Sequence, residues 1–107
     1  MTPGHTPSPR YQDPEFRLRF ARLVTHYWRH AGFLEEDQLI RDAAKLNGIS
    51  GVLIHGRHDV SGPLVTAWQL SRRWTTSRLR ILDDAGHGGG KEFMPLVLSA
   101  LNEFAAL

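Results

Sequence analysis

A short apolar run, GVLIH at residues 51–55, constrains the fold more than any other feature of the 107-residue sequence. The run is continuous rather than alternating, and Val52 and Ile54 are β-branched. A strand of this kind is typically covered on both of its faces, as strands are inside a parallel sheet. The run RLRIL at residues 78–82 predicts a second strand of the same sheet.

A helix is predicted after each of these strands. Pro63 opens one that continues through Trp74, and the apolar spacing of residues 93–104 indicates another. The order strand, helix, strand, helix predicts a right-handed parallel crossover unit. Because two strands make a poor sheet, we expect this unit to be the edge of a larger α/β sheet whose remainder lies outside the sequence. The unpaired edge of the first strand then favours self-association.

The chain before these strands is predicted to begin with a linker and a helix. Residues 1–12 carry three prolines and a glycine, so we expect a flexible lead-in there. Asp13 is placed to cap a helix that has Pro14 at its first position. Apolar residues then recur at three- and four-residue steps until Gly32, which is expected to end the helix.

A second helix is predicted over residues 35–46, because its acidic start suits the helix dipole and Asn47-Gly48 is a stop signal. We therefore expect a helical segment over residues 13–48 and an α/β segment over residues 49–107. The three tryptophans lie on predicted helix faces and are expected to pack into a core: Trp28, Trp68 and Trp74.

Composition narrows the classes of function. The sequence contains no cysteine, which excludes disulfides and thiolate metal sites and favours a cytoplasmic protein. No apolar run approaches the roughly 18 residues that span a bilayer, so no membrane partner is expected. The pI is near 9.5, yet 13 basic residues face 11 acidic ones. The densest basic stretch, SRRWTTSRLR, indicates a helix end that runs into a strand, and no nucleic-acid partner is expected. Binding of phosphates and bases by its arginines and tryptophan is the alternative, and such binding would fall steeply with salt.

Two residues that suit acid–base chemistry follow the predicted strands. Asp59 lies in the loop after the first strand, and His87 lies in DDAGHGGG, residues 83–90, after the second. The carboxyl ends of neighbouring parallel strands meet at one edge of a sheet, so we expect these side chains to approach each other. A carboxylate that accepts the Nδ1–H of an imidazole orients the ring as a general base. The order Asp, then His, is that of the last two members of an α/β-hydrolase triad.

Several pieces of the sequence resemble one family. The segments HYW, GF, DQL, VLIHGRHD and AGH, in this order, are similar to the carboxy-terminal part of the proline iminopeptidases, or prolyl aminopeptidases, of the α/β-hydrolase superfamily. The resemblance covers about residues 13–107. It implies the carboxy-terminal portion of an α/β-hydrolase fold, preceded by two helices from the cap region. It also implies a serine aminopeptidase that releases N-terminal proline from peptides and needs no cofactor.

The resemblance assigns roles to individual residues. The triad aspartate of the family's G-R-Y-D segment matches Asp59, with His58 at the position of the usual tyrosine. The triad histidine of its G-H segment matches His87. The family has a glutamate in the cap that binds the free amino group of the substrate, and Val24 occupies that position here.

The nucleophile is not found in the sequence. A G-x-S-x-G elbow is absent, and the nearest similar segment, residues 48–51, places Ser50 in a turn before a strand rather than between a strand and a helix. Residues 87–90 match the H-G-G-G oxyanion motif of some esterases, but that motif precedes the nucleophile, whereas only one predicted helix follows it here. We therefore expect the chain alone to be inactive, as a truncated product or a docking partner of another chain.

Metal binding is the remaining alternative. His26 and His30 are four residues apart on a predicted helix, and His55, His58 and Asp59 cluster around one loop. The sequence contains no H-E-x-x-H motif, so these side chains are expected to be ordinary core or surface residues and no metal is expected.

Overall fold

A computed structural model describes residues 8–107 of the chain. The chain divides into two compact units, with the boundary between Glu36 and Asp37. Of the predicted flexible lead-in over residues 1–12, residues 1–7 lie outside the described residues. Its remainder is ordered, because Pro9–Gln12 forms a 3-10 turn. The Tyr11 ring of this turn lies edge-on to Phe16 of the following helix, with ring centroids 5.4 Å apart.

The first unit contains helix α1, Pro14–Arg29. The Asp13 side chain accepts a hydrogen bond from the Glu15 N–H at 3.0 Å, which confirms the predicted cap. The helix ends earlier than predicted. His30 follows its last residue, and Gly32 lies in a separate 3-10 turn with φ of 63°. The stacking of the His30 ring on Phe33 accompanies this turn.

The second unit begins with a helix that is shorter than predicted. The α-helical part, α2, covers only Gln38–Asp42, and Ala43–Leu46 continues as a 3-10 helix. Asp37 stands before α2 with φ of 55°, a left-handed conformation that no helix passes through. The acidic residues before it therefore lie outside the helix. The stop signal is confirmed, because Gly48 turns the chain with φ of 95°.

The α/β part of the second unit follows the predicted order. Strand β1, Gly51–Gly56, pairs in parallel with strand β2, Ser77–Leu82. Helix α3, Leu64–Arg73, connects them, and helix α4, Phe93–Ala105, follows β2. The pairing runs from Gly51 opposite Ser77 to Gly56 opposite Leu82, so both strands end at the same edge. The predicted combination of helices with a small parallel sheet is therefore confirmed.

Burial is low among the described residues. Three apolar residues among them are buried: Ala43, Leu82 and Ala85. The central residues of β1 are only half-buried, although the apolar run predicts a strand covered on both faces. The expectation of core tryptophans is wrong for Trp28 and Trp68, which are 83% and 52% exposed. Two strands and their helices therefore leave many large apolar side chains of this chain exposed.

Trp74 holds the amino ends of the two strands together. Its indole N–H donates to the Ile49 carbonyl at 2.9 Å. Its ring lies directly beside Gly51, where an added Cβ would be 2.2 Å from a ring carbon. The next residue, Thr75, donates its backbone N–H to the Asn47 side chain at 2.7 Å. These contacts fix the edge of the sheet that lies opposite to the candidate site.

Candidate active site

The loops that leave β1 and β2 are bonded to each other. Beyond the last strand pair, the Arg57 N–H donates to the Leu82 carbonyl and the His58 N–H donates to the Ala85 carbonyl, both at 2.9 Å. Gly56 makes this approach feasible, because an added Cβ would lie 2.4 Å from the Gly86 carbonyl oxygen. The two loops thus continue the pairing of the strands, and they bring the residues that follow them to one place.

Asp59 is fixed inside the first loop. Its side chain is 6% exposed. Its Oδ1 accepts hydrogen bonds from the backbone N–H groups of Ser61 and Gly62, each at 2.9 Å. A short carboxylate that bonds the backbone two and three residues ahead makes a tight local turn. This turn fixes the carboxylate plane and directs Oδ2 towards the second loop.

The structure brings Asp59 and His87 together, as the sequence predicts. The distance from His87 Nδ1 to Asp59 Oδ2 is 2.9 Å, although the residues are 28 positions apart in the chain. The His87 side chain is 77% exposed. The carboxyl ends of β1 and β2 therefore present a buried carboxylate beside an open imidazole.

The hydrogen bonds around Asp59 determine its charge. The Gly62 amide, the His87 side chain and the Ser61 amide together hold the pKa of Asp59 below its ordinary value of 3.8, against the opposing effect of burial. The group is therefore a carboxylate at neutral pH, and a carboxylate only accepts hydrogen bonds. It follows that Nδ1 of His87 carries the proton, and that Nε2 of the neutral ring has a free lone pair. This is the tautomer that a general base requires.

A third residue, His55, contacts the same turn. It lies on β1, and its side chain is 21% exposed. Its Nε2 is 2.6 Å from the Gly62 carbonyl and 3.8 Å from Asp59 Oδ2. The sequence indicates His55 only as one of several histidines near a loop. No sequence signal separates it from His58, because its contact depends on how the turn folds back onto the strand.

The structure separates Ser50 from this site. Ser50 precedes β1, whereas Asp59 follows it, so the length of the strand lies between them. Six residues of a strand span roughly 20 Å. Ser50 therefore occupies the opposite edge of the sheet, and within one molecule its hydroxyl is far from His87.

The glycines after His87 serve the turn into α4. Gly89 and Gly90 have φ of 74° and 63°, which favour glycine. An added Cβ on Gly89 would meet the Phe93 ring at 2.5 Å, so this residue also allows the helix to pack against its own entry loop. These features account for the H-G-G-G segment without an oxyanion role.

The other candidates have structural surroundings. His26 and His30 face each other on the exposed surface of the first unit, with ring centroids 5.0 Å apart. Within residues 8–107, no group of three or more histidine and acidic side chains is arranged to hold a metal ion. Val24 lies on α1 and is half-buried. In the basic stretch, Arg78 pairs with Glu103 and Arg72 lies over the Trp68 ring.

Among the described residues, none of the helices has the length and apolar character to cross a bilayer. One cavity lies at the amino ends of the strands, lined by Ser50, Thr76 and Phe104 among others. Another is lined by Asp37 and by residues of α2 and α3. Neither of these two cavities is lined by Asp59 or His87.

Comparison with known proteins identifies relatives of the chain. No protein-family model matches it. A probable proline iminopeptidase of Streptomyces coelicolor is 44% identical over 100 residues, which cover 90% of this chain and 31% of that protein. A proline iminopeptidase of Xylella fastidiosa is 45% identical over 92 residues, which cover 85% of this chain and 28% of that protein. One from Xanthomonas citri is 46% identical over 78 residues, covering 72% and 25%.

The chain spans less than a third of the length of these curated relatives. This coverage is consistent with a carboxy-terminal portion of a longer protein of their kind. The predicted resemblance is therefore confirmed: over most of its length, this chain is similar to part of the proline iminopeptidases.

Proposed function

We propose that this chain forms the acid–base half of a serine aminopeptidase of the proline iminopeptidase type. Residues 49–107 would be the last part of an α/β-hydrolase core, and residues 13–48 would derive from its cap. Asp59 orients His87, and His87 is the general base for a serine that lies outside these residues. The observation that carries the proposal is the 2.9 Å contact between Nδ1 of His87 and Oδ2 of Asp59 at the carboxyl edge of the sheet.

The chemistry follows from the tautomer of His87. Nε2 takes the proton of the serine hydroxyl while the serine oxygen attacks the carbonyl carbon of the first peptide bond. The imidazolium formed is stabilised by the Asp59 carboxylate, and it then gives its proton to the leaving amine. Water hydrolyses the acyl-enzyme by the same two transfers, which frees the N-terminal residue and restores serine and neutral His87.

The substrate class is proposed from the names of the relatives, which are proline iminopeptidases. A peptide with an N-terminal proline is the substrate that these names indicate. Val24 occupies the position of the family's cap glutamate, and its side chain offers no charge to the ammonium group of a substrate. An ammonium group removed from water needs a charged or well-bonded partner. We therefore expect a weaker preference for a free N-terminal amine than a glutamate at this position gives.

Complementation tests the proposal. The 107-residue chain is co-expressed with the part of the Streptomyces coelicolor relative that it does not match, and hydrolysis of proline arylamide is measured. The chain alone is expected to show no turnover, because a base without a nucleophile lacks the cooperating unit. The complemented protein is expected to hydrolyse the arylamide, and His87→Ala is expected to abolish the activity.

Two results would contradict the proposal. One is a stable complex of the two parts that hydrolyses no aminoacyl arylamide. The other is a complemented activity that His87→Ala leaves intact. The matched control is His58→Ala, which removes an exposed histidine of the first loop and is expected to retain activity.

A second candidate function is non-catalytic docking onto another polypeptide chain. The observation that favours it is the apolar surface of α4, where Met94, Leu98 and Leu101 share one face and are each more than half exposed. Size-exclusion chromatography of the purified chain tests it. Self-association or aggregation is expected if this face and the free edge of β1 need cover, and a clean monomer would count against docking.

A further inference from the structure

We propose that His55 is a positioning residue for the pair formed by Asp59 and His87. It binds the Gly62 carbonyl and thereby holds the turn whose amides bind the Asp59 carboxylate. The relevance of His55 to catalysis rests on the proposed function. Its effect on Asp59 and His87 is a property of this chain alone and is testable without turnover.

The first step is the bond from the strand to the turn. His55 Nε2 is 2.6 Å from the Gly62 carbonyl oxygen, which only accepts hydrogen bonds. Nε2 therefore carries a proton and donates it. Because His55 belongs to β1 and its ring is mostly buried, the donor is held by a paired strand rather than by the loop itself. The Gly62 carbonyl is thus tied to a strand that is itself paired with β2.

The second step is the bond from the turn to the carboxylate. The N–H of the same residue, Gly62, donates to Asp59 Oδ1 at 2.9 Å, beside the Ser61 N–H. One residue therefore receives a bond from His55 and gives one to Asp59. If the Gly62 carbonyl loses its donor, the turn is free to rotate, and both amides lose their alignment with Oδ1.

The third step is the effect on His87. The carboxylate bonds His87 through Oδ2, so any tilt caused by loss of the Oδ1 contacts changes the bond to Nδ1. Nε2 of His55 is also 3.8 Å from Oδ2, which is beyond hydrogen-bond distance, so His55 acts on the carboxylate through the turn. Because Nε2 of His55 carries the proton that it donates to Gly62, this atom has no lone pair with which to bind a metal ion.

The experiment compares two amides that differ only in reach. In His55→Gln the side-chain nitrogen is placed close to the original Nε2 position, whereas in His55→Asn it ends one bond nearer to the backbone. His58→Asn, on an exposed histidine of the neighbouring loop, is the matched control. NMR of the 107-residue chain measures the pKa of Asp59, the exchange rate of the Gly62 amide and the tautomer of His87.

The two variants, His55→Gln and His55→Asn, are expected to behave differently. His55→Asn raises the pKa of Asp59 towards its ordinary value and mixes the tautomers of His87. It speeds exchange of the Gly62 amide about tenfold, which corresponds to the loss of one ordinary hydrogen bond. His55→Gln and His58→Asn keep the wild-type values. The tautomer of His87 is the readout that a merely structural role for His55 would not move selectively.

Three results would overturn the proposal. They are wild-type values in His55→Asn, equal losses in His55→Gln and His55→Asn, and an Asp59 in the unaltered chain whose pKa is ordinary. If the complementation assay fails while His55→Gln and His55→Asn still differ by NMR, the positioning role stands and the proposed function falls. If the assay shows activity while His55→Gln and His55→Asn behave alike, the proposed function stands and the positioning role falls.

Discussion

Asp59 and His87 are partners in one hydrogen bond, but the chain holds them very differently. The carboxylate is buried and bonded on both oxygens, with two backbone amides on Oδ1. The imidazole is open to solvent and is bonded through Nδ1. The carboxylate of the candidate site is thus held by contacts within its own turn, independently of any further chain. The ring is left with Nε2 available to a group that approaches from outside.

The largest expected effect tests the ranking of these two side chains. In the complemented enzyme, His87→Ala is expected to lower kcat by about 10⁶, because the base and nucleophile act as one unit. Asp59→Asn is expected to cost about 10⁴, since the carboxamide favours the wrong tautomer of His87 but leaves the ring in place. Steady-state kinetics with proline arylamide measures both. Equal losses would show that Asp59 does more than orient the ring.

The next effect tests how closely the two loops must approach. Gly56→Ala places a Cβ within 2.5 Å of two carbonyl oxygens of the second loop, and backbone cannot move aside as a flexible side chain can. We expect a loss of stability of about 1–3 kcal/mol in urea unfolding, together with loss of the bond between Asp59 and His87. Gly88→Ala is the control, because no atom lies within 4 Å of its added Cβ. Equal stability of the two variants would mean that the loops separate freely.

A smaller effect is expected from pH. The pKa of Asp59 is lowered in the folded chain, so its contacts stabilise the fold fully above the ordinary value of 3.8. This contribution is lost as the pH falls below 3.8 and through the folded value. The difference in urea midpoint between the unaltered chain and Asp59→Asn should therefore be greatest near neutral pH and shrink below pH 3.8. A constant difference down to pH 2 would contradict it.

The smallest effect is expected from an ion pair beside the site. Arg57 and Asp83 join the two loops at 2.6 Å, but both side chains are exposed. Exposed pairs of this kind contribute at most about 1 kcal/mol, and salt screens them. A double-mutant cycle with Arg57→Ala and Asp83→Asn should give a small coupling that falls in 1 M salt. A large coupling would show that the open His87 loop depends on this pair.

Much of the second unit was predictable from sequence, and the reasons are local. The apolar run of β1, Pro63 before α3 and the apolar period of α4 each act within a few residues. The meeting of Asp59 and His87 also followed, because parallel strands end at one edge. The start of α2 was missed because Asp37 adopts a left-handed conformation that its residue type does not require. The roles of Gly56 and His55 depend on the approach of two loops, which no sequence period encodes.

The packing of Trp74 has a consequence for spectroscopy. The indole that lies against Gly51 is half-buried and hydrogen-bonded, whereas Trp28 and Trp68 are exposed to water. Its emission should be the bluest of the three and should respond to separation of the amino ends of β1 and β2. His87 follows the other ends of the strands, so Trp74 is expected to respond little to changes there. The chain therefore carries an intrinsic optical probe that distinguishes opening of the sheet from loosening of the candidate site.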